Sequence, residues 1–115
     1  MSSTTGVGVP SLDGLGDQAL LSLAEQAFAA IGAQALDQII DDDTLAGSVE
    51  RLHRMETVVA AEKLRRIAEI DARQAWRGQG ARSTTDLVAR RLRLTRGEAR
   101  AQTETALALE SLPET

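Results

Sequence analysis

Six arginines, Arg82, Arg90, Arg91, Arg93, Arg96 and Arg100, crowd one short stretch of this chain. The guanidinium group suits one kind of chemistry, binding phosphate or carboxylate through a planar fork of N–H donors. From Arg77 to Arg100, seven arginines stand against Asp86 and Glu98, an excess of five positive charges in a chain of net charge −4. Such a patch fits a solvated helix face first, then an anionic partner such as DNA, then a protein-binding surface. Other reactive groups are sparse. His53 is the only histidine, lies between Leu52 and Arg54, and has no second histidine or cysteine for a metal, so it reads as a partly exposed structural residue. Asp41, Asp42 and Asp43 lack the spaced oxygens and the glycine of a calcium loop, and read as helix-capping and solvated groups. There is no cysteine, no glycine-rich dinucleotide or phosphate loop, and no nucleophile beside a base. The expectation is a non-catalytic chain without metal or cofactor.

The elements that must hold these arginines are helices. Only Phe28 and Trp76 are aromatic, so a core has to come from Leu, Ile, Val and Ala, which suit closely packed helices, and the length fits a single domain. Residues 1–16 are rich in Ser, Thr and Gly with Pro10, and read as a mobile tail ahead of one helical domain over residues 17–115. The start carries no basic residue and no apolar run, and no later stretch approaches a membrane span, so a cytoplasmic protein without a membrane partner is expected. Charge is divided sharply. Residues 1–50 hold eight acids and no base, and residues 51–115 hold thirteen bases and nine acids.

Helical spacing of Leu20, Leu23, Ala24, Ala27, Phe28 and Ile31 predicts a first helix with Asp17 as N-cap and Gly32 at its end. A short piece with Leu36, Ile39 and Ile40 follows, and Asp41-Asp42-Asp43 are expected to open the next helix, because acids at a helix C-terminus oppose the macrodipole. One long helix is predicted from about Thr44 to Trp76. Its seam is Leu45, Val49, Leu52, Met55, Val59, Leu64, Ile67 and Ile70, and Glu62–Arg66 and Glu69–Arg73 stand at i,i+4 on its other faces. Gly78 and Gly80 are expected to end it, and Trp76 to anchor its end in the core. This seam is also where a homodimer or another helical protein would dock.

Ser83-Thr84-Thr85-Asp86 and Thr95-Arg96-Gly97-Glu98 both fit the capping box. They predict helices over about Thr84–Leu92 and Arg96–Leu109, with Leu94 packed beneath both and Pro113 closing the segment. A short helix, a three-residue turn and a second helix form the outline of a helix-turn-helix, with the arginines at the turn and its flanks, where phosphates are met. Ala89 and Leu94 suit the outline. Arg93 stands where glycine is usual, and Ala99 where a larger aliphatic normally locks the helices. The expected architecture is an all-α bundle with one long central helix followed by a helix-turn-helix-like hairpin, whose candidate DNA contacts are Arg82, Arg90, Arg91, Arg93, Arg96 and Arg100.

Four segments together carry a family likeness: Ala68-Glu69-Ile70-Asp71-Ala72-Arg73-Gln74-Ala75-Trp76, Gly80-Ala81-Arg82-Ser83, Leu92-Arg93-Leu94-Thr95-Arg96-Gly97-Glu98-Ala99-Arg100, and Ala106-Leu107-Ala108-Leu109-Glu110-Ser111-Leu112-Pro113. Residues 50–113 resemble domain of unknown function 222, the 13E12 repeat family, typified by a long helix ending in tryptophan and by these turn and exit motifs. Residues 1–49 match only as generic Ala/Leu helices. The resemblance implies a helical domain found ahead of HNH nucleases in bacterial proteins related to mobile elements. It supplies a nucleic-acid setting and no activity for the helical domain itself. The chain stops at Thr115, where family members continue, so a truncated member, or a remnant of a mobile element, is expected and no nuclease residue carries over.

Overall fold

A computed structural model describes residues 11–39 and 41–111. Ile40, Leu112 and Pro113 lie outside these, as does most of the expected tail. The described residues are all-α. Four α-helices follow one another, α1 (Asp17–Gly32), α2 (Asp42–Arg73), α3 (Thr84–Leu92) and α4 (Arg96–Glu110), with 3-10 turns at Leu36–Gln38 and Ala75–Gln79. The chain divides into two compact units, Met1–Leu45 and Ala46–Thr115. The boundary falls inside the continuous apolar period of α2, five residues before the point where the acidic stretch gives way to one rich in arginine.

In the first unit, residues 12–15 turn before α1, with Leu15 N–H bonded to the Leu12 carbonyl at 3.3 Å and Gly14 at φ 86. The N-cap of α1 is Gly16 rather than Asp17, which occupies the first turn, where its charge faces the positive end of the helix dipole. The apolar stripe of α1 buries no residue: Leu23, Phe28 and Ile31 are 38%, 43% and 45% exposed. The piece after it is a single 3-10 turn, Leu36–Gln38.

Asp41 opens α2 by accepting from Thr44 N–H at 2.7 Å and Thr44 Oγ1–H at 2.9 Å. These bonds hold its carboxyl below the usual aspartate range. Along the helix, Arg66 and Arg65 both reach Glu62, at 3.5 and 2.7 Å, and Arg73 reaches Glu69 at 2.6 Å. The helix ends at Arg73, three residues short of the expected Trp76. Gln74, not a glycine, takes the left-handed conformation (φ 51, ψ 42) that stops it, and Gly80 (φ 75) ends the 3-10 turn that follows. Trp76 lies in that turn, half-buried, with the Arg77 guanidinium carbon 5.3 Å from its ring centroid. That is a cation–π distance.

The core of the second unit is small and built from small residues. Ile67 and Ala68 of α2, Val88 of α3, and Ala99 and Ala106 of α4 form it, and Leu64, Ala89 and Leu94 pack against it. Ala99 is fully buried. The position that suggested a missing aliphatic is where a methyl side chain lets α4 approach closely. Thr84, itself buried, donates from Oγ1 to Asp71 Oδ1 at 2.7 Å and ties the start of α3 to α2. Only the C-terminal third of the predicted α2 seam is covered: Val49, Leu52 and Val59 are 63%, 42% and 55% exposed.

Candidate nucleic-acid interface

The hairpin is assembled from local chemistry. Ser83 Oγ accepts from Asp86 N–H at 3.0 Å and caps α3. Its reciprocal bond is displaced by one residue. The Asp86 carboxylate takes Arg82 N–H at 2.9 Å instead of the Ser83 amide, so the first motif is a variant of the capping box. The second is complete, with Glu98 N–H bonded to Thr95 Oγ1 at 3.1 Å and Thr95 N–H to Glu98 Oε1 at 2.9 Å. Between them, α3 ends at Arg93 in the left-handed conformation, φ 56 and ψ 44, and Leu94 N–H returns to the Ala89 carbonyl at 3.0 Å. That conformation crowds the Cβ of any L residue against its own backbone, and glycine normally occupies it.

All six candidate arginines are exposed, yet they fall into two groups. Arg90 donates to the Gly80 carbonyl at 3.1 Å and pairs with Asp86 at 3.2 Å, and Arg91 donates to Gln79 Oε1 at 2.6 Å. These two brace the loop ahead of α3. Arg82, Arg93, Arg96 and Arg100 hold no side-chain hydrogen bond or ion pair among the described residues, in contrast to Arg65, Arg66 and Arg73 of α2. Asp86 marks the middle of the cluster. The Arg82 amide bond lowers its carboxyl below the usual aspartate range, partial burial opposes that, and the charges of Arg90, Arg82 and Arg96 lower it further. Glu98 is lowered by its two bonds from Thr95. Both acids are therefore anionic at neutral pH, and the stretch 82–100 carries six positive against two negative charges.

Sequence reading found the arginines but missed Gln79, Gly80 and Asp86 as their partners. Arg90 and Arg91 reach back ten and twelve positions, beyond any helical spacing. Elsewhere, His53 Nδ1 lies 4.0 Å from Glu56 Oε1 with both side chains more than three-quarters exposed. Among the described residues no three His, Cys, Asp or Glu side chains come together to hold a metal ion. No helix among them is long and apolar enough to cross a membrane. No protein family, curated protein or solved structure compared with this chain matches it.

Proposed function

We propose that this chain is a non-catalytic helical module that contacts DNA through the hairpin of residues 82–100, in the nuclease-associated setting that residues 50–113 resemble. The observation that carries this reading is the set of four exposed arginines without a side-chain hydrogen bond or ion pair among the described residues, Arg82 ahead of α3, Arg93 in the turn, and Arg96 and Arg100 in the first turns of α4. The N–H groups and positive dipole end of α4 add to their field. Arg93 supports the reading from a second direction, because it holds a left-handed conformation that glycine would relieve, and such strain clusters at binding and active sites. Titration of a labelled duplex at about 50 mM and about 200 mM salt tests it, beside a variant with all four arginines changed to alanine. Salt-sensitive binding, lost in the variant with helicity unchanged, is the expected result. Absence of binding by the folded chain at the lower salt would refute it.

One observation favours a second reading, a protein-interaction module. Val49, Leu52 and Val59 of α2 stand exposed at helical spacing, as a seam for a homodimer or another helical protein would. Sedimentation of the wild type beside Leu52→Asp and Val59→Asp tests the dimer, which predicts a dimer converted to monomer. Identical masses for all three would count against it.

A further inference from the structure

The side of α4 that points away from the core determines how the hairpin can meet a duplex. Ala99, Thr103 and Ala106 are buried. At about 3.6 residues per turn the opposite side is therefore formed by Gly97, Ala101, Glu104 and Ala108, all of them exposed. A helix that reads bases from within the major groove does so with long donors and acceptors on its outward side, arginine for guanine and asparagine or glutamine for adenine. Gly97, Ala101 and Ala108 offer no such group. The Glu104 carboxylate would be pressed between the phosphate-lined walls of the groove. The unpartnered arginines stand elsewhere: Arg82 ahead of α3, Arg93 in the turn, and Arg96 and Arg100, one helical turn apart, on the flank of α4 between its buried and outward sides.

Building on the DNA-contact reading above, we infer that the hairpin grips duplex DNA by its phosphate backbone alone, with α4 lying across the backbone rather than in the major groove, and selects no base sequence. Phosphate contacts fix register and orientation without carrying sequence information. Four free arginines neutralise up to four phosphates, and each contributes a slope of about −0.9 to the dependence of log K on log salt. The expected slope is about −3.6. Affinity then falls on the order of a hundredfold between about 50 mM and about 200 mM salt.

The test is selection of a randomised duplex library on the immobilised full chain, with the recovered pool sequenced and its salt dependence measured. Retained DNA with no enriched motif, and a slope near the expected value that shrinks by about 0.9 for each of Arg82→Ala, Arg93→Ala, Arg96→Ala and Arg100→Ala, supports the inference. Enrichment of a motif bound roughly a thousandfold tighter than the starting pool, the margin of a specific complex, overturns it while leaving the DNA-contact reading intact. No DNA retained at about 50 mM salt by a chain of full helicity overturns both.

Discussion

Replacing Arg93 with glycine should make the protein more stable and a poorer DNA binder at once. Arg93 sits at φ 56, ψ 44, a conformation that costs an L residue about 1–2 kcal/mol. Glycine removes that cost but loses about 0.5–1 kcal/mol through its greater freedom in the unfolded chain. The net gain is about 0.5–1 kcal/mol, or a melting temperature higher by roughly 2–8 °C for a domain of this size. Arg93→Ala is the matched control, because it removes the same guanidinium and keeps the strained Cβ, so its stability should stay near that of the wild type. Gln74→Gly relieves the same conformation (φ 51) at an uncharged residue, and should stabilise without touching DNA affinity. Urea unfolding followed by helical circular dichroism measures the stabilities, and duplex titration at low salt measures affinity. Both Arg93 variants should lose the same affinity. If Arg93→Gly is no more stable than Arg93→Ala, left-handed strain is not stored at this turn and the argument from it fails.

Thr84→Val keeps the shape of a buried side chain but deletes its 2.7 Å bond to Asp71. It should cost about 1.5–3 kcal/mol in urea unfolding, the range for hydrogen bonds to charged groups, and an unchanged midpoint would show that this link between α2 and α3 does not hold the unit together. Asp86→Asn retains an acceptor for the Arg82 amide while removing the negative charge among Arg82, Arg90 and Arg96. DNA affinity should rise roughly threefold to fivefold at low salt and converge with the wild type at high salt, whereas equal affinities throughout would place Asp86 outside the binding surface. Asp41, Asp86 and Glu98 all titrate below their ordinary values of 3.8, 3.8 and 4.5. In that window the unfolded chain binds more protons than the folded one, so their contribution is complete above the ordinary values and is lost as pH falls through the lowered ones. Thermal melts should be flat from neutral pH to about pH 5 and fall below it, less steeply in Asp86→Asn. A melt that stays level down to pH 3 would contradict the capping bonds.

The sequence by itself settled what depends on residues three or four positions apart. The limits of α3, the start of α4, the capping role of Thr95 with Glu98, the opening of α2 at the Asp41–Asp43 run and the Glu62–Arg66 and Glu69–Arg73 pairs were legible, because a cap or an i,i+4 pair is satisfied within one helical turn. The end of α2 was not legible, since glycine is the usual signal for a left-handed stop and here Gln74 takes it. The candidate arginines were visible as a cluster. Only tertiary structure divided them into Arg90 and Arg91, spent on the Gln79–Gly80 loop, and Arg82, Arg93, Arg96 and Arg100, left open to solvent. It also determined which part of the α2 seam is a core. Val49 and Ile67 follow the same apolar period, but Ile67 is covered by α3 and α4 while Val49 is bare. Periodicity specifies that a helix has an apolar face, and the partner that covers it comes from distant parts of the chain, whose placement no local spacing encodes.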